Sequence, residues 1–401
     1  MSNSHLPAEL LDYVVDFLRD TKYALSNCCL VSKSWVPRAR QHLFAHIEFG
    51  IGADIESWKK TFPDPSTSPA HYAKTLLIDC LHVVTPADAE AGGWITGFSR
   101  VVNLVLSGDG MDDDEPGIFF IPLQRLSPAV KYLSVHCVPP SSPHIFDLIL
   151  SFPLLEDLAM TNVNYAAIDE DDGSNGLPTT NQPSNMPAFT GSFSLITAGP
   201  APIARQLSSL PGGIHFRKLT LTWSSRGADI SLIAALVKGC SHTLESLEIC
   251  CDPFSAPILF PRHTDNLLLF QVGPATIDLS KAIKLQDVIF RPDFPSVKWI
   301  TAALQTTTPK HRELQKITIR VPYSSTFPDN VDTVERSTTF GEWMDLDRLL
   351  VQFWESRSTH PKVECTTWQG WNGSMRGFFD CFLPELTRRG TIDANNLYLP
   401  M

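Results

Sequence analysis

Twelve histidines, nine cysteines and forty-three acidic side chains are the groups in this 401-residue chain that could hold a metal or move a proton. Their spacing supports neither chemistry. The chain contains no G-x-S-x-G, G-x-x-x-x-G-K-[ST], G-x-G-x-x-G or H-E-x-x-H, and the histidines fall without ligand spacing. Cys240 and His242 come close together, but a lone pair of this kind reads as packing and surface. The cysteines are odd in number, include the adjacent pairs Cys28-Cys29 and Cys250-Cys251, and never form Cys-x-x-Cys, so neither a disulfide framework nor a zinc ribbon is indicated. Two acidic runs, DGMDDDEPG at 109–117 and DEDDGSNG at 169–176, could suggest calcium. Neither places carboxylates at alternate positions with glycine sixth and glutamate twelfth, so both read as solvated loops. The expectation is a chain with no catalytic residue, no metal ligand and no cofactor.

If the chain does not act through such groups, its elements must act through surfaces. Its size and 43% hydrophobic content allow a sizeable core and more than one structural unit. No apolar run reaches the roughly 18–20 residues that span a bilayer, and MSNSHLPAELL lacks a basic stretch followed by an apolar segment. A soluble protein of a reducing compartment, cytoplasmic or nuclear, is expected, which leaves the sequon at Asn372 without significance. The formal charge of −11 argues against nucleic acid or an anionic membrane as a partner.

The densest pattern lies at residues 5–44, HLPAELLDYVVDFLRDTKYALSNCCLVSKSWVPRARQHLF. Pro7 suits a first helical turn, where a missing N–H costs nothing. Leu10, Leu11, Val14, Val15 and Leu18 then recur at helical spacing as one broad apolar face, opposite Glu9, Asp12, Asp16 and Asp20. A second apolar set, Leu25, Cys28, Cys29, Leu30 and Val31, follows the Thr21-Lys22-Tyr23 break and leads to Trp35. Two or three short helices are implied. About forty residues cannot bury that much apolar surface unaided, so a partner or the rest of the chain must cover it.

This stretch resembles the F-box, the adaptor-binding motif of Skp/cullin/F-box ubiquitin ligases. The resemblance rests on Leu6-Pro7-x-Glu9-Leu10-Leu11, on Val14, Leu18 and Leu25, on Leu30-Val31-Ser32-Lys33-x-Trp35 and on His42-Leu43-Phe44. It implies that Leu6, Pro7, Leu10, Val14, Leu18, Leu25, Val31 and Trp35 contact a Skp adaptor, that a cullin is reached through the adaptor, and that partner subunits perform the ubiquitin transfer. The alternative for the same residues is an ordinary helical hairpin packed on the rest of the protein.

Downstream, a pattern of apolar, two others, apolar, one other, apolar recurs eight times. Its copies are Ala73/Leu76/Ile78, Val101/Leu104/Leu106, Val130/Leu133/Val135, Leu155/Leu158/Met160, Phe216/Leu219/Leu221, Leu244/Leu247/Ile249, Leu285/Val288/Phe290 and Leu314/Ile317/Ile319. The starts are separated by 28, 29, 25, 61, 28, 41 and 29 residues, so five intervals fall within a leucine-rich-repeat period. A weaker ninth copy is Pro361-Lys362-Val363-Glu364-Cys365. Helices are predicted at 143–152, 229–240, 296–305 and 346–356. The fold class is therefore α/β: a short N-terminal helical unit (1–46), a linker (47–69), and an irregular leucine-rich-repeat-like solenoid (70–401) with a parallel sheet and outer helices. A compact α/β domain is the alternative.

Between the apolar positions stand Lys131, Glu156 and Asp157, Arg217 and Lys218, Glu245 and Glu248, Asp287 and Lys316. Their largely alternating sign suits pairing between strands, about 0.2–1 kcal/mol each. It does not suit a receptor for phosphorylated substrates, so recognition of unmodified surfaces is expected. Three stretches interrupt the pattern: 109–117, 322–343 and 164–213, the last read as a mobile insertion that could hold one short strand near 193–197. The combined expectation is a substrate-receptor subunit acting in ubiquitin-dependent degradation through an unknown protein substrate. Two other readings stand beside it, an F-box-like adaptor-binding protein outside a ligase and an enzyme with an unrecognised active site.

Overall fold

The computed structural model describes residues 7–50, 52–79, 92–108, 123–136, 144–161, 187–196, 201–210, 212–224, 230–252, 277–292, 297–307, 310–321, 338–356, 361–367 and 382–389. Two compact units divide the chain, Met1–Ala188 and Phe189–Met401. Each is α/β with parallel strands. Leu6, the loop at 109–117, the acidic run at 169–176 and the sequon lie outside the described residues.

The first unit opens with three helices, α1 (Ala8–Phe17), α2 (Lys22–Val31) and α3 (Val36–Leu43). The strands β1 (His46–Phe49), β2 (Thr75–Ile78), β3 (Asn103–Ser107), β4 (Tyr132–His136) and β5 (Asp157–Thr161) then pair in chain order, all parallel. The second unit continues the theme with β6 (Ser192–Ile196), β7 (Lys218–Ser224), β8 (Ser246–Asp252), β9 (Asp287–Arg291), β10 (Lys316–Val321) and β11 (Lys362–Thr367), again parallel and in order. Helices intervene: α4 (Gly52–Thr61), α5 (His144–Leu150), α6 (Ala201–Ser208), α7 (Ile230–Cys240), α8 (Lys298–Gln305), α9 (Thr338–Ser356) and α10 (Pro384–Arg388).

The register explains the sequence pattern. Leu76, Leu104, Leu133 and Leu158 stand opposite one another, as do Leu219, Leu247, Val288 and Ile317. All twenty-four residues of the eight copies are buried. A residue every second position along a strand points to one face, so matched copies stack into continuous apolar ladders, each Leu contributing about 1.5–3 kcal/mol when fully buried. The chain lacks the asparagine turn of regular leucine-rich repeats, and its main chain ties successive strands together instead. The carbonyls of Lys74, Val102 and Lys131 in the first unit, and of Arg217, Glu245 and Gln286 in the second, each accept two consecutive N–H groups from the start of the following strand.

Several boundaries differ from expectation. Residues 47–69 are not a linker: they begin within β1, continue into α4, and place Phe49 and Trp58 edge-on at 5.7 Å, with Phe49 equally close to Trp94. The turn that follows is tightly packed, since a Cβ on Gly97 would come within 3.0 Å of the Pro65 carbonyl. Phe44, Ile47 and Phe49 obey the repeat pattern in full, 29 residues before Ala73, and were hidden because Phe44 also completes the helical motif.

Within 164–213 the structure holds β6 and α6, so the described end of that stretch is a strand-helix unit and not an excursion. The strands at Leu158 and Leu219, expected as neighbours, are not: β7 is flanked by β6, and the 61-residue interval divides at Phe193 into 35 and 26. β6 is the short strand expected near 193–197, and it stands outside the eight copies because its first apolar residue is displaced by one. Thr190 occupies that place, and Phe189 reaches the core instead through a backbone φ of 45°, unusual for a bulky residue. Its ring lies 5.3 Å from Phe216, which stacks on Phe193. In the second unit, α9 begins eight residues earlier than expected, so the end of the stretch at 322–343 is helical.

Candidate functional site

The N-terminal helices enclose a very small core. Val15, Leu25, Cys28 and Ala39 are buried, and Leu18, Cys29, Trp35 and Leu43 pack around them. One ion cluster reinforces it: Asp16 accepts from Arg38 Nε at 2.5 Å and Nη2 at 2.6 Å, while His42 Nε2 lies 2.7 Å from the same carboxylate. Asp16 is thus a clamp from α1 to α3 and not a member of a solvated stripe. The bonds from Arg38, then His42, hold its carboxyl well below the usual carboxylate range.

The apolar face read as one in the sequence is two. Leu11, Val15 and Leu18 turn toward the other helices, whereas Leu10, Tyr13, Val14 and Phe17, spaced i, i+3, i+4, i+7, form a stripe toward solvent. Phe17 is 82% exposed and even Val14 is 44%. On α2, Tyr23, Leu30 and Val31 are also exposed, Leu30 at 86%. Large apolar side chains elsewhere among the described residues are rarely left so open.

The seven described residues of the eight singled out from the resemblance therefore separate. Pro7, Leu10, Val14 and Val31 face solvent; Leu25 is fully buried in the helices' own core, with Leu18 and Trp35 packed on it. Leu25 supports a surface and does not form one. Tyr13, Phe17, Tyr23 and Leu30 belong to the exposed set and were not singled out. The heptad-like spacing of the first two with Leu10 and Val14 was the available signal.

A second concentration of chemistry lies on the polar side of the second sheet. Glu248 of β8 receives Arg291 from β9 and, at 3.2 Å, Arg320 Nη1 from β10. Further along the same register row, Glu364 of β11 receives Lys316 at 2.6 Å and Lys362 at 2.9 Å. Burial works to raise the Glu364 carboxyl, but the bonds from the two lysines outweigh it and hold its pKa below the ordinary value. Thr318 of β10, between the two glutamates in that row, is buried, and its hydroxyl has no partner among the described residues. In the first unit Lys131 pairs with Glu156 at 2.7 Å, the inter-strand pairing its charge order suggested. Sequence reading stopped at the sixth position of each copy, so it passed over Arg291 and Arg320 at the seventh, which the register sets side by side.

Among the described residues no three His, Cys, Asp or Glu side chains converge on a metal geometry, and no helix is long and apolar enough to cross a membrane. No protein-family model matches the chain, and a search of curated proteins returns no match.

Proposed function

We propose that this protein is a substrate-receptor subunit of a Skp/cullin/F-box ubiquitin ligase, gripping the adaptor with α1 and α2 and a protein substrate with its irregular leucine-rich-repeat-like strands. The observation that carries the reading is the solvent-facing stripe of Leu10, Tyr13, Val14 and Phe17 on α1, with Leu30 and Val31 also exposed on α2, on a helical unit whose own core is only four buried residues deep. An exposed apolar stripe of this kind marks a docking site, and each Leu, Val or Phe covered by a partner contributes about 1.5–3 kcal/mol. Three of its residues, Leu10, Val14 and Val31, are among the eight that the F-box resemblance assigns to the adaptor. Partner subunits would supply the chemistry, which accords with a chain that offers affinity and position.

The test is capture of a purified Skp adaptor by the full-length protein and by a Leu10→Asp/Val14→Asp variant. Both positions are exposed, so the variant should fold normally and lose at least about a hundredfold in affinity, since two charges would be forced against an apolar partner. Unchanged affinity would remove the adaptor reading. Co-purification of a cullin with wild type separates a ligase subunit from an adaptor-binding protein that acts elsewhere.

A further inference from the structure

We propose that Arg291 and Arg320, with Thr318 beside them, form a binding site for an acidic peptide segment of a protein partner, taken through the anionic oxygens of its side chains. The proposal deepens the substrate-receptor reading by naming a substrate class, and rests on that reading only for the ligand's role as substrate.

The site follows from register and exposure. Phe290 pairs with Ile319, which puts Arg291 and Arg320 next to each other on the polar side of β9 and β10. Adjacent guanidinium groups repel, and here one carboxylate, Glu248, reconciles them by bonding both. Glu248 thus holds two cations, on a face where Asp287 also stands across from Lys316, in a chain of formal charge −11. A second cluster repeats the arrangement, with Lys316 and Lys362 on Glu364. In both clusters the carboxylates lie deeper than the cations they hold. Glu248 and Glu364 are 18% and 16% exposed, against 28% and 37% for the arginines and 40% and 52% for the lysines. The cations are therefore the outermost groups of both clusters, and their side chains are already ordered by the acids beneath, which lowers the entropy lost on binding.

Geometry also favours oxygen anions. A guanidinium carries five N–H donors in a planar fork that matches a carboxylate or phosphoryl group, and among the described residues Arg320 bonds Glu248 alone. Thr318 is two residues before Arg320 and so on the same side of β10. Its hydroxyl is enclosed without a partner, a polar group that an arriving acceptor could satisfy when the Arg320 side chain shifts toward ligand.

Fluorescence anisotropy with three labelled twelve-residue peptides, alternating Ser with Glu, with Gln or with phosphoserine, tests the site on the full-length protein. Glu or phosphoserine peptide should bind with affinity that falls as salt rises, and the Gln peptide should not. The stronger of the two identifies the oxygen source. Arg291→Gln/Arg320→Gln should weaken binding at least tenfold, Arg320→Gln alone about threefold or more, and Lys281→Gln, on the surface elsewhere, not at all. Thermal melts establish that each variant is folded, and the more exposed Arg320→Gln serves if the double variant is not. Equal binding of Glu and Gln peptides, or undiminished binding by folded Arg320→Gln, overturns the proposal. Adaptor capture measured on the same samples keeps the two readings apart. Peptide failure with intact capture defeats the site alone, and the reverse defeats the ligase reading alone.

Discussion

At the scale of single residues, the N-terminal unit depends on how few groups hold it. Asp16 lies on α1, and its bonds from Arg38 and His42 are among the ties from that helix to α3. Those bonds exist in full only while the carboxyl is ionised. Its folded-state pKa is depressed below the unfolded value of about 3.9, so the stabilisation is complete above that value and is lost as pH falls through the acid range. The Asp16→Asn variant should be less stable than wild type at pH 7, and the gap between the two should narrow steadily on acidification. Urea unfolding at pH 7, 4 and 2.5 measures it, and a gap of constant size would mean that Asp16 acts by shape and not by charge. Legibility at this scale was partial. Asp16 looked like one of four acids three or four residues apart, and nothing local distinguishes it from Asp12 or Asp20; its partners stand 22 and 26 residues away. The same limit hid the arginine pair, because Arg291 and Arg320 become neighbours only through strand register.

At the scale of elements, α1 shows why a periodic apolar face is not yet a surface or a core. Its apolar residues cover more than half the helix circumference, and spacing alone cannot say which edge meets α2 and α3 and which is left open. The structure answers with Val15 at 0% exposure and Val14 beside it at 44%. A stability comparison checks the division. Leu25→Ala should cost about 2–5 kcal/mol, because the cavity opens in a core too small to collapse around it. Leu10→Ser should stay within about 0.5 kcal/mol, since its side chain is in water already. If Leu10→Ser destabilises as much as Leu25→Ala, the stripe is covered by the protein itself and is not available to a partner. Strands were the most legible elements, since an apolar pattern of fixed spacing maps directly onto in-register ladders. The exceptions have local causes: Phe44 did double duty in two motifs, and Phe189 enters the core one residue early through a left-handed backbone.

At the scale of the whole molecule, the helical unit belongs with β1–β5 in Met1–Ala188, and the arginine site belongs to Phe189–Met401. The sequence could not place this division, because the same pattern runs through both units and the boundary falls inside a stretch read as an insertion. The division makes a testable statement about which defects travel. Leu247 is buried between Leu219 and Val288 in the second sheet, so Leu247→Asp would place an unpaired charge in its apolar ladder. The second unit also carries its own reporters. Burial pushes the Cys240 and Cys365 thiols up to about 12, so at pH 8 they are almost wholly protonated and, being enclosed, inert to iodoacetamide while the fold is intact. In the Leu247→Asp variant both should alkylate at rates near those of the urea-unfolded protein. Ile47, Leu76 and Leu104 make the corresponding ladder of the first unit, which contains neither cysteine, and adaptor capture by α1 and α2 should persist in that same variant. Mass spectrometry of the alkylated protein, read beside adaptor capture, gives both answers from one sample. Protected cysteines would show that Leu247 does not hold the second core, and alkylation accompanied by loss of capture would show that the two units fold as one.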